Sequence, residues 1–407
     1  MILHKKKLAG FAVLALFIFL PPAIDYIFSV SSFAIGTFIA CAIAYSFLPW
    51  KMPRHSLFFE PIEAKLLILF FLIGVHFAIS VLLNSVNFAR FLGSLIALLI
   101  MLRVSLVIIP LIYDQNPDVS VKVLFSGMVI LFSISTLGIK VPGYNINGKA
   151  VFPFSEPSFF GLAIMPLLAY LFISTKSIVR YAYLVVVIAT ALLLQNLTMI
   201  VGVLLVLLIA SRLAVISIIV GLAVVVIIFG NLDLSYYTNR LDLSSENRNF
   251  SSLVYIQGWE LMAESLRNSW GWGLGFQQLG VNGTSVDSAK LIYALAGNYL
   301  NLLDGGFVAS KLVSDFGVFG IIACGIYIVL GMRSVFVIRR FLFDKKKING
   351  GDILAHSFLI MFSIDMFVRG VSYITGSVVL VMTAIIHLHC PVSSKKLTLC
   401  RLNVVEN

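Results

Sequence analysis

The sequence predicts an all-α polytopic integral membrane protein with about 12 transmembrane helices. Three observations carry that reading. The mean hydropathy is +1.03, and 60% of the 407 residues are hydrophobic. Only 12% are charged, about half of the ~25% found in soluble domains. Apolar runs reach about 20 residues, the length a helix needs to cross a bilayer, without the apolar–polar alternation of a membrane β-strand. Helices also satisfy the backbone, whose N–H and C=O groups find no water in lipid.

Taken in order, the expected spans lie near residues 8–24, 28–48, 65–83, 90–112, 122–139, 158–174, 179–194, 197–210, 213–230, 307–331, 353–369 and 372–389. The first resembles a signal peptide. No small-residue cleavage site follows it and a second apolar run begins at once, so it reads as a retained span. Gln195-Asn196 barely separates the seventh span from the eighth. With the N-terminus in the cytoplasm, the basic connectors all fall inside: Lys5 to Lys7, Lys51 with Arg54, Lys176 with Arg180, Arg333 to Lys347, and Lys395-Lys396. Both termini are then cytoplasmic, and the loops 140–157 and 231–306 lie outside. Residues 1–407 read as a single transmembrane domain.

The formal charge of +11 thus belongs to membrane edges, and no nucleic acid is expected as partner. Cys41, Cys324, Cys390 and Cys400 show no metal-ligand spacing, and none lies in the long loop. His387 and His389 form no metal site either. The absence of an internal repeat counts against an inverted-repeat transporter.

The loop 231–306 is the polar island of the chain. A loop longer than ~15 residues is commonly functional or disordered. This one holds three of the four Trp and is too rich in apolar residues to be disordered. Within Ser252 to Arg267, Val254, Trp259, Leu261, Met262 and Leu266 fall partly on a helical period. Gly271, Gly273 and Gly275 should end that helix, which can lie on the membrane surface as a lid.

Four constellations can carry chemistry. Arg240, Arg248 and Arg267 stand outside against the topological bias, and a guanidinium binds a diphosphate bidentately. Ordinary solvated charge is the plain alternative, because the same loop carries seven acidic residues. In FSEPSFFG (Phe154 to Gly161), Pro157 suits a first helical turn. Glu156 then reads either as a helix cap or as a general base or anchor for an arginine. In GWGLGF (Gly271 to Phe276) the glycines permit close backbone approach. There Trp270 and Trp272 can stack on sugar rings or sit at the membrane interface. In DGGFVASKLVSDFGVFG (Asp304 to Gly320), Asp304, Lys311 and Asp315 share one helical face, as a buried ion pair or as a polar groove under the loop. His76, Arg103 and Asp365 are isolated polar groups inside spans, each able to line a channel or to pair with a neighbouring helix.

SLVYIQGWELMAESLRNSWGWGLGFQQLG (Ser252 to Gly280), GGFVASKLVSDFGVFG (Gly305 to Gly320) and FSEPSFFG together resemble bacterial O-antigen polymerases of the Wzy type, within the wider O-antigen polymerase and ligase superfamily. The resemblance implies a GT-C-like membrane glycosyltransferase of the bacterial inner membrane. It would polymerise oligosaccharide repeat units carried on undecaprenyl pyrophosphate into O-antigen or a related surface polysaccharide at the periplasmic face. It implies catalytic roles for Arg248 and Arg240, which hold the matching position upstream of GWGLGF, and leaves the general base unassigned. The residues themselves offer Glu156 or Asp304 as the carboxylate that accepts the hydroxyl proton, and Lys311, Trp272, Gly273, Gly275 and Gln277 as candidate substrate contacts. Membrane lipid, a chain-length regulator and a flippase are the implied partners. The donor brings its own leaving group, so no nucleotide or ATP cofactor is expected, and with no Asp-x-Asp motif in the outer loops no metal is expected either. Related ligases carry a His where this chain reads Asp304-Gly305-Gly306, which argues against a ligase. A lipid-linked oligosaccharide flippase is the reading from another class, and it needs no external module of this size.

Overall fold

The computed structural model describes residues 2–28, 33–46, 61–83, 85–137, 151–176, 178–212, 235–243, 248–344 and 346–389. Within them the chain is helical and no strand forms. The helices are α1 (Ile2–Phe28), α2 (Ala34–Ser46), α3 (Pro61–Leu83), α4 (Phe88–Ile112), α5 (Asp118–Thr136), α6 (Pro157–Ser174), α7 (Val179–Leu193), α8 (Leu197–Ala210), α9 (Ser235–Leu241), α10 (Phe250–Asn268), α11 (Asp287–Ala296), α12 (Val308–Phe316), α13 (Val318–Phe343), α14 (Gly350–Phe367) and α15 (Gly376–His389).

Six of these, α1, α4, α5, α6, α13 and α14, are long and apolar enough to cross a membrane, and α2, α3, α7, α8 and α15 are shorter apolar helices. Ten of the expected spans therefore coincide with one helix each. The expected ninth span, 213–230, lies outside the described residues, as does most of the loop 140–157.

The tenth span needs correction. The expected helix 307–331 is two helices, α12 and α13, broken at Gly317, where φ is +59°. An L side chain rarely takes that conformation. α13 turns outward from the break. Its Phe319, Ile322, Ile326 and Phe336 are exposed, as suits a helix facing lipid.

The centre of the bundle is the pair α6 and α14, packed along each other and more buried than the other long helices. α5, α7 and α8 flank α6, and α13 and α15 flank α14. Close approach depends on small residues, which let helix backbones meet in an apolar medium. A Cβ on Gly161 of α6 would stand 2.8 Å from Met199 of α8, and one on Gly202 of α8 would stand 2.7 Å from Met165 of α6. Each helix thus buries a Met in the other's glycine notch. At the same end, Asn196 caps α8 and donates its side-chain N–H to the Pro157 carbonyl at the start of α6. The break at Gln195-Asn196 is therefore a real turn.

The described part of the polar island, residues 235–243 and 248–306, is folded. The helix expected over 252–267 is α10. Leu261, Leu279, Val286, Ala289 and Leu302 form one small core, and Leu253, Val254 and Ile292 another. α10 lies against the entry to α12. Ser310 Oγ donates to the Gly258 carbonyl at 2.7 Å, and Tyr255 and Trp259 pack on Phe307.

Candidate functional site

The site is organised by a carboxylate in the last turn of α12. Asp315 is fully buried. It accepts the backbone N–H groups of Gln277 (3.0 Å), Gln278 (3.1 Å) and Leu279 (3.0 Å), and the hydroxyl of Tyr373 (3.2 Å). A buried carboxylate costs several kcal/mol unless its lone pairs are filled, and four donors fill them here. Asp315 thus fastens the end of the GWGLGF segment to the bundle and fixes Gln277 at its left-handed φ of +64°.

The glycines of that segment serve the same contact. Leu274 and Gly275 donate backbone N–H groups to the carbonyls of Ser314 and Asp315, and Val318 donates to the Gly271 carbonyl. The segment therefore satisfies carbonyls that the C-terminus of α12 would leave open. A Cβ on Gly273 would lie 2.5 Å from the Asp315 carbonyl oxygen, and one on Gly275 would lie 3.0 Å from Ser80 of α3. Trp272 is held between helices. Its ring stacks on His76 of α3 (5.0 Å, 10°), its indole N–H donates to the His76 carbonyl, and its own carbonyl pairs with His76 Nε2 at 2.8 Å. Trp270 is 94% exposed and is the ring of this pair left open to a ligand.

One turn before Asp315, Lys311 is also fully buried. Its ammonium donates to the Leu303 carbonyl, lies 3.8 Å from Asp304 Oδ1 and stands 5.5 Å from the centre of the Tyr373 ring. Its ion-pair partner is Asp304, on the connection before α12. Asp315 is a more distant charge. Burial raises the Asp304 carboxyl above its ordinary 3.8, while the charges of Lys311 and Arg90 and a hydrogen bond with Ser372 pull it back.

The short connection between α14 and α15 ties these groups to the mouth of α6. Arg369 Nη2 donates to Glu156 Oε2 at 2.8 Å. Gly370 N–H donates to the Gly306 carbonyl, and Tyr373 donates to Asp315. Glu156 takes the N-cap backbone position of α6, but its side chain does not cap the helix. It binds Arg369 and Ser158 instead, both through Oε2. Of the two roles open to Glu156, the structure places it as the anchor of an arginine. The neighbouring Ser155 donates to Asp25 of α1.

Glu156, Asp304 and Lys311 are thus brought to one mouth of the bundle. Arg240 and Arg248 lie beside the start of α10. Arg240 ends α9, and Ser252 Oγ donates to its carbonyl at 2.9 Å. Arg248 is exposed, directly before the cap Asn249. A Cβ on Gly306 would touch Val254, and one on Gly258 would touch Gly305. Arg248 precedes the first of those contacts, Val254, by six residues, and Arg240 meets α10 at Ser252.

Arg90 and Arg369 carry charge at this mouth without having been singled out above. The signal was present. Both stand at span ends that the expected topology puts outside, against the same bias that made Arg240 and Arg248 conspicuous.

Comparison with known protein families, with curated proteins and with solved structures finds no match.

The segments that bear Glu156 and Arg369 also line an apolar cleft of about 90 Å³ between α1, α6, α14 and α15. Pro22, Phe154, Phe159, Phe358 and Val371 form its walls, and Asp365 is its one carboxylate. Ser377 Oγ donates to that carboxylate. No group of three or more His, Cys, Asp or Glu side chains positioned to hold a metal occurs among the described residues.

Proposed function

We propose that the protein is a metal-independent membrane glycosyltransferase that polymerises undecaprenyl-pyrophosphate-linked oligosaccharide repeat units into O-antigen or a related surface polysaccharide. It works at the periplasmic face of the bacterial inner membrane, with both termini in the cytoplasm. The observation that carries the reading is the meeting of three separate sequence segments. The FSEPSFFG and GWGLGF segments, which resemble those of Wzy-type polymerases, are both tied to the α14–α15 connection, at a mouth with buried carboxylates, cations and an adjoining apolar cleft.

In the proposed step, a hydroxyl on the non-reducing sugar of a new repeat unit attacks the anomeric carbon of the growing chain. A C–O bond forms, and the bond from that carbon to the pyrophosphate oxygen breaks. Undecaprenyl pyrophosphate leaves with the electron pair. Glu156 accepts the hydroxyl proton. Its side chain is 47% exposed, so a substrate can reach it, and its two bonds both use Oε2. Arg248 and Arg240 close on the leaving diphosphate as the lid moves down, while Arg369 and Lys311 set the potential of the mouth. Preorganised cations of this kind favour the charge that develops on departure. Asp304 positions Lys311, and the apolar cleft accommodates part of the isoprenoid chain.

The test is the surface polysaccharide of cells carrying single variants. Arg248→Ala, Arg240→Ala and Glu156→Ala should each collapse a long ladder to single repeats while the protein remains in the membrane. Normal ladders from all three would sink the assignment.

A further inference from the structure

The end of the bundle opposite the polar island carries a second cleft, of about 220 Å³, at the junction of α7, α8 and α13. Arg180, Tyr181, Ser211, Arg212 and Phe343 line it, and no acidic residue does. Asn196 and Pro157 meet at the other end of the same helices, so this cleft lies a full helix length from the site above. It falls on the side that the basic connectors mark as cytoplasmic.

The basic groups here are arranged. The Arg180 guanidinium lies 4.7 Å from the centre of the Tyr181 ring and 5.3 Å from that of Phe172, and donates to the Tyr181 hydroxyl at 2.8 Å. One edge of the fork is thereby held while further N–H donors remain. Arg339 closes the α8 terminus by donating to the carbonyls of Leu208 and Ile209. Beyond it, Ser211 is 5% exposed, and its hydroxyl has no hydrogen-bond partner among the described residues. A buried hydroxyl without a partner costs about 1–3 kcal/mol, so its persistence beside two arginines calls for an acceptor that the described residues do not supply.

We propose that this cleft binds the phosphate ester of an anionic phospholipid of the adjacent leaflet. Arg180 and Arg212 take the phosphate oxygens, and Ser211 donates to one of them. Basic pockets between membrane helices on the cytoplasmic side recognise acidic head groups in this way. The same oxygens occur on a free phosphate, and the test separates the two sources.

The purified full-length protein would be reconstituted in phosphatidylcholine and titrated with phosphatidylglycerol or with inorganic phosphate, following thermal unfolding. Wild type should be stabilised by phosphatidylglycerol. Each arginine is expected to contribute about fivefold in affinity, so the double variant Arg180→Gln/Arg212→Gln should bind about thirtyfold more weakly. Arg212 is exposed, so Arg212→Gln alone should keep the fold, and it should still bind about fivefold more weakly. Protection by inorganic phosphate alone, lost in the same variants, would keep the site and assign it to a soluble anion. Equal protection of wild type and variants, or protection of neither by either ligand, overturns the proposal.

Discussion

Arg369 and Glu156 form an ion pair of 2.8 Å across 213 residues of chain, fastening the connection after α14 to the start of α6. The Glu156 side chain is 47% exposed and that of Arg369 is 18% exposed. A partly solvated pair contributes about 0–1 kcal/mol to stability. Loss of function on breaking it would therefore not be a folding defect. Arg369→Ala should lower the polymerisation rate by about 10²–10³-fold, the range for removing one preorganised donor, with little change in unfolding temperature. The charge-swapped pair Glu156→Arg/Arg369→Glu should keep the thermal stability and remain inactive.

Asp315 is a different case because it is wholly buried. Asp315→Ala strands three backbone N–H groups and the Tyr373 hydroxyl, and should cost about 3–5 kcal/mol. Asp315→Asn should fall short as well, since its amide N–H₂ would face donors. Detergent-solubilised protein should show a clear drop in unfolding temperature for both. Asp287→Ala, at an exposed residue, serves as the control and should show almost none.

The raised Asp304 carboxyl gives a pH signature. As pH falls through its folded-state value, above 3.8, the carboxylate charge that holds Lys311 is lost and the rate should fall. The fold does not fail for that reason. A carboxyl whose value is raised on folding binds its proton more tightly in the native state, so its protonation adds stability as pH falls. Rate measured against pH should show an acid limb whose position Asp304→Asn changes, at a lower maximal rate. An unchanged limb in that variant would exclude Asp304 as its source.

The two tryptophans of the GWGLGF segment should separate. Trp270 is 94% exposed, and Trp270→Ala should raise KM for the lipid-linked sugar without altering the unfolding temperature. Trp272 is stacked and doubly hydrogen-bonded to His76, and Trp272→Ala should lower stability by about 3–5 kcal/mol.

Hydropathy alone located the helices of the bundle, because a span must be apolar over its whole length. It missed the break at Gly317, since the amphipathic stretch VASKLVSDF runs across it into the apolar VFGIIACGIYIV and glycine is common in membrane helices. The site was half legible. Glu156, Asp304 and Lys311 stand out as charges at span edges. Arg369 and Arg90 were legible by the same rule, but their partners lie too far along the chain for any spacing argument. Asp315 stood out as a charge on a helical face, yet its role could not be read. A carboxylate that binds backbone N–H groups leaves no pattern in the residues it binds.

The most direct measurement uses the purified full-length protein in lipid with undecaprenyl-pyrophosphate repeat units as sole substrate, in the presence of a chelator, following both polymer length and released undecaprenyl pyrophosphate. The proposed function predicts a ladder of polymers and one carrier released per linkage formed, with both lost in Glu156→Gln and Arg248→Ala. Intact repeat units carried across the bilayer with no new linkage, or a ladder unaffected by both substitutions, would contradict it.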